Sequence, residues 1–143
     1  MIHFFLVVNK FGTTRLTQYY NHLTMQERVA LEGEIIRQCL SLNDNQCPFF
    51  DYSNYRIIFK RFASLYFIVG TSDEEIELEM IELIQLFVET LDYYFESVCE
   101  FDIMANLDRV HFILNEMIAN GHVVSTGRKE ILEPVDFLDR ASP

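Results

Sequence analysis

A chain of 143 residues, half of them hydrophobic, is long enough to bury a sizeable core, and one domain over residues 1–143 is expected. Its formal net charge of −11, with no basic stripe to offset it, excludes a binder of phosphate backbones, so no nucleic-acid partner is expected. No apolar run approaches the length that spans a bilayer, and MIHFFLVVNK at the N-terminus lacks a basic n-region and a cleavage site. A cytosolic protein with reduced thiols at Cys39, Cys47 and Cys99 is therefore expected.

Ile2 to Val8 is apolar at almost every position and reads as a strand, and Asn9-Lys10-Phe11-Gly12 as the turn that returns it into a second strand, Thr14 to Tyr20. Thr24 and Glu27 form a capping box that opens a helix running to about Leu40. Leu31, Ile35 and Cys39 make one row on it, with Val29, Ile36 and Leu40 beside them, while Arg28, Glu34, Arg37 and Gln38 face out. Glu32 interrupts the apolar face and must reach its edge. Ser41 to Pro48 reads as a loop, and Phe49 to Tyr52 as a short third strand.

The densest β-branched and aromatic block is YRIIFKRFASLYFIVG, Tyr55 to Gly70. It divides at Phe62-Ala63-Ser64 into two strands joined by a tight turn. The first alternates Tyr55, Ile57 and Phe59 with Arg56, Ile58 and Lys60, so its second face is expected to meet solvent or a partner. The next strand, from Leu65 to Val69, is apolar on both faces and is expected at the centre of the sheet. The order is thus β, β, α, β, β, β.

Ser72 and Glu75 form a second capping box, and the helical period continues from there to Phe95. Ile76, Met80, Leu83, Ile84, Phe87, Leu91 and Tyr94 make one stripe. Ile81, Val88 and Phe95 widen it to roughly 160° of arc, against about 100° for a single contact, so this helix is expected to touch two surfaces and to leave apolar area for a partner. After a polar break at Glu96-Ser97, Val98 to Ile103 leads into a helix marked by Leu107, Val110, Leu114, Met117 and Ile118, which Asn120-Gly121 is expected to close as a left-handed stop. Arg128 to Leu138 is a weaker helix because Pro134 lies inside it.

Catalytic and metal-binding patterns are not evident. His3, His22, His111 and His122 have no ligand spacing with one another or with the cysteines, so no metal or cofactor is expected. Asp73, Glu74, Glu75, Glu77, Glu79 and Glu82 read as a solvated acidic face near a helix start. Cys99 beside Glu100 could suggest a nucleophile with a base, but no histidine or oxyanion turn accompanies it, and a buried structural thiol is expected instead. Ser125-Thr126-Gly127-Arg128-Lys129 could hold an anion but lacks a full phosphate loop, and reads as a cap with solvated charges. An enzyme is not expected.

Three stretches, MIHFFLVVNKFGTTRLTQYY, YRIIFKRFASLYFIVG and LIQLFVETLDYYFESVCEFDIMANLDRVHFILNEMIANG, resemble in order and spacing the small (sigma) subunits of the heterotetrameric adaptor complexes that sort cargo into coated vesicles. Val8-Asn9-Lys10, Thr14-Arg15-Leu16, Leu31 to Ile35 and Asn45-Gln46-Cys47 are most similar to the complex 4 branch. Leu83-Ile84-Gln85 and Phe87 to Asp92 are similar also to the complex 3 branch.

The resemblance implies an α+β longin-like fold, with a five-stranded antiparallel sheet flanked by helices. It implies assembly with a direct large subunit, a second large subunit and a medium subunit, and a peripheral place on trans-Golgi or endosomal membranes. It also implies a pocket for acidic dileucine cargo tails, with Ala63, Leu65, Val88, Val98 and Ile103 as the apolar wall, Ser97 between them and Arg15 at the acidic end. In related subunits an Asn is common at the place of Ser97 and a Leu at that of Ile103. Other longin-like trafficking subunits, such as coatomer zeta or a tether subunit, would share the fold and differ in partners.

Overall fold

The computed structural model describes residues 1–42, 49–72 and 77–141. The strands β1 (Ile2–Asn9), β2 (Thr14–Tyr19), β3 (Phe49–Tyr52), β4 (Tyr55–Phe62) and β5 (Leu65–Thr71) form one sheet in the order β2-β1-β5-β4-β3, every neighbouring pair antiparallel. β5 holds the centre, and all seven of its residues are buried, as a strand apolar on both faces requires.

Strand alternation splits the core into two clusters. Phe4, Leu6, Val8, Ile57, Phe59, Tyr66 and Ile68 point to one face and meet Leu31, Ile35 and Cys39 of α1 (Met25–Ser41). Phe5, Val7, Ile58, Leu65, Phe67 and Val69 point to the other and meet the remaining helices. There α2 (Glu77–Phe95) sends Phe87 between Phe5 and Phe67, edge to face at centroid distances of 5.1 and 6.0 Å.

The cap of α1 is partly as expected. The Glu27 amide donates to Thr24 Oγ1 at 3.2 Å, while the Glu27 carboxylate accepts from the Thr24 hydroxyl rather than from its amide. The face of α1 is narrower than its sequence suggested: Val29 is 65% exposed and Leu40 lies at the surface, because a single row suffices against the sheet. Arg28 stacks over the Tyr19 ring at 4.4 Å instead of facing out. Glu32 does reach the edge of the apolar face, where its carboxylate accepts from the Tyr19 hydroxyl at 2.7 Å; burial and this bond push the Tyr19 phenol well up.

Two expectations about apolar surface are corrected. The second face of β4 is largely covered by α2, with Arg56 paired to Glu77, Lys60 bonded to Gln85 and Ile58 buried between them. The wide arc of α2 is likewise covered in large part within the chain. Val88 is buried and Ile81 and Phe95 are half-buried against the core, since the second surface that α2 touches is the chain's own helical layer. The capping-box residue Glu75, the stripe residue Ile76 and most of the Ser41–Pro48 loop, with Cys47, lie outside the described residues.

That layer contains α3 (Glu100–Ala105), α4 (Leu107–Met117) and α5 (Arg128–Ala141). Asn120-Gly121 is not the stop of α4: with φ of +52° and +83° it turns a small hairpin of β6 (Ile118–Ala119) and β7 (His122–Val123), where Asn-Gly is the favoured pair. Pro134 does not end α5, which continues to Ala141 because Ile131, Leu132 and Val135 are buried around it. Asp139 stitches the layer, accepting from the Tyr94 hydroxyl at 2.6 Å and from Arg109 Nε at 2.8 Å. No helix among the described residues is long and apolar enough to cross a membrane.

Candidate functional site

The β1–β2 turn, the β4–β5 turn and the start of α3 gather at one end of the molecule. α2 ends there on two successive residues in the left-handed region, Glu96 and Ser97, at φ +54° and +86°. The Ser97 amide donates to the Asp92 carbonyl and the Val98 amide to the Asp92 carboxylate, each at 3.0 Å. This fixed reversal turns Val98 back into the core and delivers α3 beside β2.

Leu65 at the head of β5, Val88 on α2, Val98 after the reversal and Ile103 on α3 all belong to one apolar cluster and are all buried. Ala63 and Ser97 are exposed, Ala63 as the first residue of the hairpin turn at φ +55°. The four apolar positions therefore all lie in the core on the helical side of the sheet, with Ala63 and Ser97 at the surface.

Arg15 lies on β2, and its Nε donates to Glu100 Oε2 at 2.9 Å. The same carboxylate oxygen accepts from Asn9 Nδ2 at 3.1 Å. The Asn9 bond, then the Arg15 bond, hold the Glu100 carboxyl below the usual carboxylate range. Asn9 is only 4% exposed, and its Oδ1 accepts from the amides of Phe11 and Thr13, both at 2.9 Å. Asn9 thus orders the β1–β2 turn and ties it to α3.

Neither Asn9 nor Glu100 stood out in sequence as part of a site. Asn9 read as a turn residue and Glu100 as a neighbour of Cys99, and no spacing links residues 91 positions apart. Around their network Phe11, Phe101 and Met104 are exposed at 80%, 72% and 49%, a concentration of apolar side chains facing out.

Cys99 is exposed rather than buried. It stands at the start of α3, its amide donating to Asp102 Oδ2 at 3.0 Å and its thiol to the same oxygen at 3.4 Å, so it caps a helix instead of filling a core. Cys39 is the buried thiol, and burial pushes its pKa up to about 12. At the first residue of α5, Arg128 stacks on the Tyr93 ring at 4.7 Å, so its guanidinium is engaged. Among the described residues no group of three or more His, Cys, Asp or Glu could hold a metal ion.

Comparison with known proteins places this geometry. The family model for the clathrin adaptor complex small chain matches residues 1–142. The AP-4 complex subunit sigma of Arabidopsis thaliana is 53% identical over 140 residues, covering 98% of each chain. The AP-4 complex subunit sigma-1 of Homo sapiens is 49% identical over 142 residues, covering 99% of each. A chain from a homology model of the full-length AP-3 complex in a stretched open conformation superposes with a TM-score of 0.79 at 30% identity, covering 99% of this chain and 95% of that one. The antiparallel five-stranded sheet between helical layers and these matches along the whole length agree: the chain belongs to the clathrin adaptor complex small chain family, with AP-4 sigma subunits among its relatives at about half-identical sequence.

Proposed function

We propose that this chain is the small subunit of a heterotetrameric adaptor that sorts membrane cargo into vesicles, acting as one longin-like domain with a structural and signal-reading role rather than a catalytic one. Its partners in this reading are a large subunit in direct and obligate contact, a second large subunit and a medium subunit. The complex works from the cytosol, peripherally on trans-Golgi or endosomal membranes. The observation that carries the reading is the family match over residues 1–142 together with near half identity to AP-4 sigma subunits across almost their full length.

Purification of the tagged chain from its own cells tests it. Co-elution with two large subunits and a medium subunit is the expected result, and co-elution with coatomer would overturn it. Imaging of the tagged chain checks the membrane, with trans-Golgi or endosomal puncta expected.

For the sorting signal, we propose that an acidic dileucine peptide binds at the Arg15–Glu100 end, its leucines against Leu65, Val88, Val98 and Ile103 beside Ala63 and Ser97. What supports this is that the four apolar residues belong to one core cluster and that Arg15 is paired to Glu100 of α3, the helix that carries Ile103. Because all four are buried in the free chain, entry requires that they be uncovered on binding. Burying two leucines offers on the order of 3–6 kcal/mol before ordering costs. Binding of such a peptide to the assembled complex should be weakened by Val88→Asp and by Arg15→Ser. A peptide that binds the native complex and ignores both changes would refute the site.

A further inference from the structure

The end of the molecule remote from the Arg15–Glu100 network carries an open groove of about 570 Å³ between the first half of α2 and the β6–β7 hairpin. Met80, Leu83, Leu86 and Val123 supply an apolar lining. Met80 and Leu83 are almost wholly buried, whereas Val123 is 40% exposed, so the groove has a fixed floor and one wall open to solvent. Glu79 and Glu82, one helical turn apart on α2 and both exposed, rim it. Neither has a hydrogen bond or ion pair among the described residues, in contrast to Glu77, which Arg56 neutralises.

We infer that this groove is an interaction surface for a basic amphipathic segment of another subunit, one that lays apolar side chains on the α2–β7 floor and sets Lys or Arg against Glu79 and Glu82. Charge complementarity selects the occupant. A second copy of this chain is disfavoured because it carries a net charge of −11, and a nucleic acid is excluded for the same reason. An apolar ligand without charge would leave two carboxylates at the rim of a water-excluding contact without compensation, which costs free energy. A segment that combines apolar and cationic side chains satisfies both parts of the surface. The choice of another adaptor subunit as its source rests on the proposed function; the chemistry of the segment rests on the groove alone.

The test uses the assembled complex. A photocrosslinking p-benzoylphenylalanine at Val123 should attach to a partner segment that carries Lys or Arg within a helical turn of Leu, Ile, Val or Phe. Glu79→Lys with Glu82→Lys should weaken recovery of that partner on the order of tenfold and flatten its salt dependence, with Glu79→Gln and Glu82→Gln intermediate. All four glutamate substitutions fall on exposed positions, so thermal unfolding of the free chain should be unchanged and serves as the folding control.

A complex that assembles equally well with both lysines, or a crosslink that lands on an acidic segment or on a second copy of this chain, overturns the groove assignment and leaves the adaptor reading standing. If no large or medium subunit accompanies the chain, the adaptor reading falls and the inference falls with it.

Discussion

Arg15 and Glu100 stand 85 residues apart in sequence and are joined by an ion pair of 2.9 Å, and through it the β2 edge of the sheet is tied to the short helix α3. Both side chains are about three-quarters buried, and the buried amide of Asn9 bonds to the same carboxylate oxygen. The Arg15 guanidinium is therefore already engaged by an internal carboxylate. In the proposed dileucine site, a peptide acid would have to compete with Glu100 or add to it.

Titration of Glu100 reads this network directly. Its carboxyl is held below the ordinary Glu value of about 4.3, with the Asn9 bond the larger cause and Arg15 the next. The sign follows: the network stabilises the fold fully above the ordinary Glu value and is lost as pH falls through the depressed folded one. By carboxylate NMR, Asn9→Ala should raise the Glu100 midpoint more than Arg15→Ser does, and α3 amides should exchange faster once Glu100 is protonated. Equal midpoints in native and Asn9→Ala proteins would remove Asn9 from the network.

Gly70 is held to glycine by a ring. It pairs with Phe4 across β1 and β5, and a Cβ built on it would run into the Phe4 ring. Phe4 is wholly buried between Tyr19 and Tyr55 and has little room to retreat. Gly70→Ala should destabilise the protein by about 1–3 kcal/mol in urea unfolding, an overpacking cost that outweighs the entropy usually gained by replacing a strand glycine. A neutral or stabilising result would mean that the ring moves freely.

Ala63 presents the opposite case. It holds the first position of a two-residue hairpin turn at φ +55°, where a Cβ is disfavoured by about 1–2 kcal/mol. Glycine removes that strain while increasing unfolded-state entropy, so Ala63→Gly should stabilise by roughly 0.5–1 kcal/mol. A lower urea midpoint in the variant would show that the Ala63 side chain makes contacts worth more than the strain.

The two described cysteines should separate in alkylation followed by peptide mass spectrometry. Cys99, exposed at the head of α3, should react under native conditions, and Cys39 only as the chain unfolds. Because burial raises the Cys39 pKa to about 12, its contribution to stability is complete below the ordinary thiol range and declines as pH rises toward that value. Rapid native labelling of Cys39 would place it outside the α1–sheet contact.

Periodicity and turn chemistry alone determined the sheet's five strands and the central place of β5, since a strand apolar at every position has no solvent face to offer. They also determined the Thr24 cap and the buried row Leu31, Ile35 and Cys39. These are local properties, written at spacings of two, three or four residues. Tertiary structure decided what lay beyond that range. The broad apolar arc of α2 is covered in large part by the chain's own helices, a matter of which surface comes back to it, and pattern strength could not distinguish this from a partner. Asn120-Gly121 became a hairpin turn because Ile118 and Ala119 found strand partners in Val123 and His122. Asn9, Arg15 and Glu100 became one network only when α3 was laid against β2, because a hydrogen bond between residues 91 positions apart leaves no period in the chain; it exists only where folding brings donor and acceptor within 3.1 Å.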